Sequence, residues 1–413
     1  MINIIFTILL LSDVNASVDP EQGLLHSKSS KRYEVDSIKK ESEDILGVFG
    51  KLRTAYIYID EHTLGHDTNY ATSIGGQFGV NTTSYEGFNL HLSLFTSVEV
   101  ELLTGNDSHK NQEFFNEGRH SYVYVGEASL VYKEEGFEAM LGRIRIDTPY
   151  ADSDDLRMSP NTFEGAWVYK ELSQSLSTQV YYLSRMAGLD SSGSQDEFDS
   201  LYIEDGFGLV GASLDYHFAD DNDISLWYYY VDKMSHIFYT EMNYDMSISE
   251  NIRLTTAFQA SSMIELDNSG VQGDVLGLAG VMHYKNLFFA GAYNYGFVDS
   301  NKQITDGFGG GAYYTSLDEG TIGAVSSEAI GEDVKGYRLG VGYESLFLDN
   351  LVVELIHGHL QSQKKTVDIM ENNIVLSYQI NDELYFELVG AKYKEVKNDN
   401  KFERLIVRFD YSF

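Results

Sequence analysis

The chain has 413 residues, no cysteine, three prolines and a formal net charge of −34. The lack of cysteine excludes a disulfide framework and thiolate metal sites, and the acidic balance argues against nucleic acid, whose phosphates are bound by Lys and Arg. No internal apolar run approaches the roughly 20 residues of a spanning helix, whereas abundant Tyr, Phe and Gly with little Pro are typical of long paired strands.

The first segment combines a short apolar stretch, Ile4 to Leu11, with small residues at Val14-Asn15-Ala16. This pattern predicts a secretion signal over residues 1–16, although no Lys or Arg precedes the apolar stretch; the alternative is a buried N-terminal strand. Residues 17–48 are polar and charged and are interpreted as a periplasmic leader. Residues 49–413 are predicted to form one domain.

From about residue 50, apolar and polar residues alternate with a period of two. Leu90 and Leu92 share one face of their segment, for example, while His91 and Ser93 share the other. Such alternation predicts β-strands with one apolar face. The predicted strands lie near residues 51–59, 71–80, 87–99, 121–133, 136–146, 162–171, 176–186, 207–218, 223–233, 236–247, 252–264, 274–284, 287–297, 336–345, 350–361, 371–380, 384–396 and 402–413.

The connections between these strands alternate in length. Short turns are expected at residues 133–136, 219–222, 249–251, 285–286 and 381–382, and long connections at 100–120, 147–161, 187–206, 265–273 and 298–335. This alternation is typical of an up-and-down membrane barrel with tight periplasmic turns and long external loops. The connection at Lys233–Ser235 is an exception, because a tight hairpin stands where a long loop is expected.

The last predicted strand indicates which medium each face meets. Val407, Phe409 and the terminal Phe413 alternate with Arg404 and Arg408, so that one face suits lipid and the other water. The inward faces of other strands also carry charges, which could not be buried unpaired in a small soluble barrel. We therefore predict an all-β fold, a transmembrane antiparallel barrel of about eighteen strands that encloses a water-filled lumen with hydrated charges. The Tyr-rich segments "AYIYI" (55–59) and "WYYYV" (227–231) are interpreted as aromatic girdles.

The third external connection differs from the rest of the chain in composition. Two of the three prolines lie there, and they fix φ on either side of an acidic stretch. A stiffened loop suits a constriction that must keep its width, so we predict that this loop folds inward and narrows the lumen. The residues assigned to it are Asp147, Pro149, Asp152, Ser153, Asp154, Asp155, Arg157 and Pro160.

The stretch "GRIRIDTPYADSDDLRMSPNTFEGAWV" (142–168) resembles the third-loop signature of OprD-type substrate-specific outer-membrane porins. The layout is also similar at residues 50–60, as a first strand, and at 307–320, as a Gly-rich seventh loop. The resemblance implies eighteen strands, a bacterial outer-membrane location and passive diffusion of small, often carboxylate-bearing nutrients. It also implies a lumenal basic ladder, for which the candidates here are Arg53, Arg143, Arg145, Arg253, Arg338, Arg404 and Arg408.

Several alternatives stay open. Acidic residues outnumber basic ones 63 to 29, so that a cation-preferring or general porin, or a structural or adhesive barrel without transport, is also compatible with the chain. A soluble secreted all-β binding protein is a further alternative. The expected partners are small solutes, outer-membrane lipid and lipopolysaccharide, with divalent cations as a candidate bridge, and the barrel assembly machinery through Phe413. The oligomeric state is expected to be a monomer or loose trimer.

Catalysis is not predicted, and no cofactor or metal is expected. The histidines form no recognisable constellation with a nucleophile or acid. His357 and His359 share one face of a strand, which could bind a metal but occurs more often by chance. "GFGGGA" at 307–312 is not a phosphate loop, because no Gly-Lys-Ser/Thr follows it.

Overall fold

The computed structural model describes residues 46–62, 67–106, 108–201, 206–219, 222–397 and 400–413. The predicted signal at 1–16 and nearly all of the predicted leader at 17–48 lie outside these described residues. Within them, no helix is long and apolar enough to cross a membrane.

The described residues are almost entirely β-structure, with one short α-helix and one 3-10 turn at Glu101–Leu103. The strands are β1 (Leu46–Glu61), β2 (Asp67–Thr82), β3 (Phe88–Glu99), β4 (Tyr122–Glu134), β5 (Phe137–Ile144), β6 (Thr162–Ser173), β7 (Leu176–Ala187), β8 (Asp199–Ser200), β9 (Leu209–Ala219), β10 (Asn222–Val231), β11 (Ser235–Ser249), β12 (Ile252–Glu265), β13 (Gly273–Tyr284), β14 (Leu287–Val298), β15 (Val334–Glu344), β16 (Leu351–Ser362), β17 (Asp368–Gln379), β18 (Leu384–Glu395) and β19 (Asn400–Ser412). The helix α1 is Ile322–Glu328, in the connection between β14 and β15.

The sheet closes on itself. Each long strand pairs antiparallel with its neighbours, and β1 also pairs with β19, from Lys51 opposite Ser412 to Glu61 opposite Phe402. The two-residue β8 only extends the edge of β7, which pairs directly with β9. Eighteen strands therefore form the barrel, which confirms the predicted fold class and strand number. Closure leaves no unpaired edge, as a strand structure in lipid requires.

The two faces of the wall follow the predicted alternation. Leu90 (57% exposed) and Phe409 (44%) point outward, where only lipid could cover them. Charged residues point inward, but the prediction that they are hydrated is wrong for many of them: Arg53, Glu127 and Glu241 are each 1% exposed. The external loops fold into the barrel and cover these groups, so that hydrogen bonds and ion pairs replace water.

The aromatic segment "WYYYV" serves two roles rather than one. Tyr228 and Tyr230 face outward, as expected for a girdle, because their positions alternate with the buried ones. Trp227 and Tyr229 face inward and are buried. The ring of Tyr229 packs edge-on against Tyr150 of the third external loop, with 5.3 Å between ring centroids. The inward-facing residues of this segment therefore pack against the third external loop, a role that the sequence alone does not indicate.

Candidate functional site

Loop 3, residues 145–161 between β5 and β6, crosses the lumen. Near its start, the Tyr150 hydroxyl lies 2.8 Å from the hydroxyl of Ser261 on β12. Five residues later, the Asp155 carboxylate lies 2.7 Å from the guanidinium of Arg53 on β1. Because β12 and β1 belong to different arcs of the barrel, a loop that reaches both must span the interior.

Internal hydrogen bonds hold loop 3 in one shape. Asp147 accepts hydrogen bonds from the backbone nitrogen of Ser153 (3.1 Å) and from its hydroxyl (2.5 Å). The Thr148 hydroxyl lies 2.8 Å from that of Tyr181 on β7, and Asp154 adopts a positive φ of 38°. Pro149 and Pro160 further restrict the backbone at the two ends.

Loop 7, residues 299–333 between β14 and β15, supports loop 3 from behind. The backbone nitrogen of Asp152 donates to the carbonyl of Phe308 (2.9 Å), and that of Phe308 donates to the carbonyl of Tyr150 (3.0 Å). Gly307 has φ +87°, and a Cβ there would lie 2.5 Å from the Tyr150 carbonyl oxygen. The Gly-rich stretch at 307–311 thus permits close contact between two loop backbones.

Three of the predicted ladder residues come together at the seam between β1 and β19. Arg53 of β1 lies opposite Asp410 of β19. Arg408, which precedes Asp410 by two residues on β19, lies opposite Ala55 and therefore nearer the extracellular side. Arg404 lies four residues further up β19, on the same inward face. Sequence analysis missed Lys51, which precedes Arg53 by two residues and therefore extends this column toward the periplasm.

Loop 3 provides the counter-charge for the lower part of this column. Asp155 pairs with Arg53 at 2.7 Å and with Lys51 at 2.8 Å, and its carbonyl accepts a hydrogen bond from Arg408 at 2.7 Å. Asp410 also pairs with Arg53, at 2.6 Å. Burial alone would raise the pKa of Asp155, but the charges of Arg53 and Lys51 outweigh it and hold that pKa well below its usual range. Asp155 is therefore ionised at neutral pH.

Two other loops provide the counter-charge for the upper part. Glu113 of loop 2, residues 100–121, lies 2.9 Å from Arg404 and 2.6 Å from Arg157 of loop 3. Asp318 and Glu319 of loop 7 also contact Arg404, the former at 3.3 Å. Burial would raise the pKa of Glu113, but Arg157 and Arg404 lower it below its ordinary value. The upper guanidiniums thus join loops 2, 3 and 7 through carboxylates.

Counted together, acids exceed bases where loops 2, 3 and 7 meet the seam between β1 and β19. The basic side chains are Lys51, Arg53, Arg157, Arg404 and Arg408, and the carboxylates that contact them are Glu113, Asp155, Asp318, Glu319, Glu387 and Asp410. Each basic side chain of the column is therefore already paired with a carboxylate of the protein.

An apolar cluster inside the barrel fixes loops 2 and 3 against the same seam. Phe114 and Phe115 of loop 2 and Met158 of loop 3 pack with Ile57 of β1 and Ile406 of β19. All are almost completely buried. Sequence analysis missed this cluster. The inward-facing isoleucines of β1 could have indicated it, because apolar side chains that face a water-filled lumen must be buried by other apolar side chains.

The other predicted ladder residues lie elsewhere. Arg143 pairs with Glu164 at 3.0 Å, and Arg145 donates to Gln77 at 3.1 Å while its charge adds to the field at Asp155. Arg253 pairs with Asp245 at 2.7 Å near the short turn between β11 and β12. Arg338 of β15 donates to the carbonyl of Ser316 in loop 7 at 3.0 Å. The structure does not bring these four into the column.

A second acidic feature lies on the inner wall formed by β9, β10 and β11. Asp215 accepts hydrogen bonds from Ser213 and Ser225, each at 2.6 Å. The amide of Asn243 donates to Glu241 at 3.1 Å and lies within 3.5 Å of Asp223. These carboxylates are buried within the barrel, and they add to the acidic character of its interior.

The two strand histidines have local partners on the outward face. His357 lies 2.9 Å from Asn372, and His359 lies 2.6 Å from Asp368. In the part of the chain that the structure describes, no group of three or more His, Asp or Glu side chains is arranged to hold a metal ion.

Loop 7 contains a buried carboxyl group, that of Asp306, whose pKa lies above its ordinary value. The Oδ1 atom of Asp306 is buried, and the Thr321 hydroxyl and the backbone nitrogens of Gly323 and Ala324, at the start of α1, point to this carboxyl group. Burial outweighs these hydrogen bonds and raises the pKa of Asp306 from 3.8 to about 6.

We expect the docking of loop 7 to weaken as pH rises. A raised carboxyl pKa contributes stability below the ordinary value near 4, and this contribution is lost as pH rises through about 6. Hydrogen–deuterium exchange of residues 305–330, corrected for intrinsic rates, should be about tenfold faster at about pH 7.5 than at about pH 5. Asp306→Asn should remove this difference, whereas Asp299→Asn, at an exposed position of the same loop, should retain it. An equal pH dependence in both variants would contradict the assignment.

Comparison with known proteins agrees with this geometry. A family model described as outer membrane porin, OprD family, matches residues 51–275. No curated protein sequence matches the chain. The crystal structure of Pseudomonas aeruginosa OpdK with vanillate is similar with a TM-score of 0.75 at 14% identity, over 89% of this chain and 98% of OpdK. Acinetobacter baumannii OccAB4 gives 0.75 at 17% identity, over 90% and 98%, and Pseudomonas aeruginosa OccK9 (OpdG) gives 0.73 at 13%, over 89% and 98%.

Proposed function

The chain belongs to the OprD family of outer membrane porins, and from this membership we propose that it is a passive channel selective for small solutes that carry a carboxylate. Porins of this family and fold are channels rather than enzymes, and their place is the bacterial outer membrane. We further propose that loop 3 is the constriction and that Arg404, Arg408, Arg53 and Lys51 form the basic ladder beside it.

The observation that carries this proposal is the alignment of four basic side chains along one seam, next to the loop that crosses the lumen. Guanidinium groups bind carboxylates through paired hydrogen bonds. Asp410 and Asp155 already bind Arg53 in this way, with shortest distances of 2.6 and 2.7 Å, and Glu113 accepts a single hydrogen bond from Arg404 at 2.9 Å. A substrate carboxylate would replace one of these protein carboxylates at a guanidinium group. One charge-assisted hydrogen bond between guanidinium and carboxylate would be broken and another of the same kind formed.

The acidic excess supports a second candidate, a cation-preferring or general porin. Glu113, Asp318 and Glu319 surround Arg404, and Asp215 with its neighbours lies on the inner wall. If the loop carboxylates outweigh the ladder in the field that a solute meets, cations would pass preferentially. A solute that carries both an ammonium and a carboxylate group would suit both sets of charges.

Single-channel recording in planar bilayers under an about tenfold salt gradient distinguishes these functions. We expect steady conductance with anion preference, and block by millimolar small carboxylates but not by basic amino acids without a free carboxylate. Cation preference with block by basic solutes would favour the second candidate. A folded barrel without conductance would contradict both and favour a structural or adhesive role.

We also propose partners outside the lumen. Phe413 exchanges backbone hydrogen bonds with Gly50 at 3.0 Å on the closing seam, and its side chain is half exposed, so it is accessible as a signal for the barrel assembly machinery. Acidic external loops would bind lipopolysaccharide through divalent cations. The proposed oligomeric state is a monomer or loose trimer.

A further inference from the structure

Glu113 of loop 2 lies between two guanidinium groups that belong to different elements of the fold. Its Oε1 atom is 2.9 Å from Nη2 of Arg404 on β19, and its Oε2 atom is 2.6 Å from Nε of Arg157 in loop 3. The two oxygens of one carboxylate are therefore bound by two different arginines. A solute carboxylate would form the same charge-assisted hydrogen bonds, so this position has the chemistry of a carboxylate-binding site that the chain itself occupies.

The carboxylates at Arg53 do not form a comparable site. All five N–H groups of the Arg53 guanidinium are used, two by Asp410, two by Asp155 and one by the carbonyl of Arg157, and the side chain is 2% exposed. Nε of Arg404, by contrast, has no hydrogen-bond partner among the described residues. Exchange with a solute carboxylate is therefore expected at Arg404 rather than at Arg53.

Glu113 can release its carboxylate without movement of loop 2. Its side chain is 18% exposed, whereas Phe114 and Phe115 beside it are fully buried in the apolar cluster. Gln195, in the connection between β7 and β9, donates to the Glu113 carbonyl at 3.2 Å, and the Ser97 hydroxyl of β3 donates to the Phe114 carbonyl. The exchange therefore needs only rotation about the side-chain bonds of Glu113, while the loop keeps its place.

The height of Arg404 makes it the first residue of the column that a solute from outside meets. It lies opposite Ile59, near the upper end of β1, whereas Arg408 lies opposite Ala55. A carboxylate carried by a fixed loop has a high effective concentration at its partner. Glu113 therefore competes with the solute where the solute first reaches the column.

The charge balance at this position depends on Glu113. Arg157 and Arg404 contact three carboxylates, those of Glu113, Asp318 and Glu319, so that the acids exceed the bases by one. With Glu113 turned away, two guanidiniums face two carboxylates. Within the part of the chain that the structure describes, Glu113 is also the one carboxylate in an ion pair with Arg157. An anion is therefore accommodated only when Glu113 has left.

We propose that Glu113 is a tethered competitor of the solute: its carboxylate and a solute carboxylate bind Arg404 and Arg157 in turn. This inference rests on the proposed function, a channel for solutes that carry a carboxylate. The apparent dissociation constant is the intrinsic constant divided by the fraction of sites that are vacant, so a Glu113 that is bound about nine-tenths of the time weakens solute binding about tenfold. Weak binding lets the solute leave again, which diffusion through a pore requires.

The test is single-channel block by sodium butyrate, added on the extracellular side of the folded full-length protein in a planar bilayer. Glu113→Gln keeps the shape of the side chain and removes its charge. Block events should become about tenfold more frequent in this variant, because the guanidiniums are vacant more of the time, whereas the duration of each event should stay within about twofold. Butyramide, the uncharged analogue, should block neither protein.

The matched control is Glu117→Gln, which removes the same charge from an exposed position of loop 2. Its block frequency should lie within about twofold of that of the unchanged protein, because an exposed charge is screened by salt. Heat-dependent mobility on mild SDS gels verifies folding of both variants. Their open conductance at about 1 M salt should equal that of the unchanged protein, which verifies that the cross-section is the same.

The remaining outcomes each overturn the proposal. Equal block frequency in Glu113→Gln and in the unchanged protein would do so and would leave the channel function standing. An equal gain in Glu117→Gln would show that charge in general, rather than this contact, limits binding. Shorter block events at unchanged frequency would make Glu113 a structural support of the site. If butyrate blocks none of the three proteins, the proposed selectivity for carboxylates fails, and this inference fails with it.

Discussion

Removal of residues 150–159 raises the single-channel conductance by about twofold or more, because the loop that crosses the lumen is lost. The deletion removes Tyr150, which anchors loop 3 to β12 through Ser261, and Asp155, which anchors it to β1. Arg53 keeps Asp410 as a partner at 2.6 Å, so the seam between β1 and β19 retains an ion pair. Planar-bilayer recording at about 1 M salt, where charge effects are screened, reports the change in open cross-section.

A deletion at the opposite end of the barrel is the matched control. Residues 346–349 form an exposed part of the turn between β15 and β16, away from loop 3. Ser345 and Asn350 on either side both have positive φ, 55° and 63°, which suits a two-residue hairpin after the deletion. This variant should conduct like the unchanged protein. Equal conductance of all three proteins would show that loop 3 is not the constriction.

Replacement of Arg404 and Arg408 by alanine shifts the zero-current potential toward cation preference, by about 10 mV or more under an about tenfold salt gradient. The shift has two sources. Two positive charges are lost, Asp318 and Glu319 lose the Arg404 guanidinium that compensates them, and Glu113 keeps only Arg157 as a basic partner. Arg408 also pairs with Glu387 at 3.1 Å, so its loss exposes a further negative charge.

Two variants separate charge from structural disturbance. Arg404→Lys with Arg408→Lys keeps both charges and should keep the ion preference, although it loses the paired hydrogen bonds and should weaken block by carboxylates. Glu113→Gln removes one compensating charge and should shift the potential in the opposite direction. An unchanged potential in the alanine variant, with folding verified by heat-dependent mobility, would refute the ladder assignment.

The strand pattern was predictable because period-two alternation is a local property. Along β3 and β19, an apolar residue indicates the lipid-facing side of the barrel and a polar residue the inward side. The predicted strand boundaries fall within a few residues of those observed. The number of strands, the long and short connections and the inward direction of Arg404 and Arg408 followed from the same pattern. The two prolines of loop 3 likewise marked a stiff segment without knowledge of its contacts.

The partners of the inward charges were not predictable in this way. Arg404 and Glu113 are separated by 291 residues, and Arg53 and Asp155 by 102. Alternation states only that a side chain points inward, not how far a loop descends to meet it. The expectation of hydrated lumenal charges was therefore wrong for Arg53 and Glu127, and Lys51 and the inward isoleucines of β1 were not recognised as parts of the site.

The sequence by itself determined the membrane barrel, because each strand must present an apolar face to lipid and a polar face to the interior whatever its distant neighbours are. Only the tertiary structure decided which charges lie together beside loop 3. Closure of β1 on β19 placed Arg53, Arg404 and Arg408 in one column, and loops 2, 3 and 7 brought Glu113, Asp155 and Asp318 to them. Those contacts depend on distances of a few ångströms between segments far apart in the chain, and Coulomb interactions at such distances, rather than local pattern, set the charge that a solute meets.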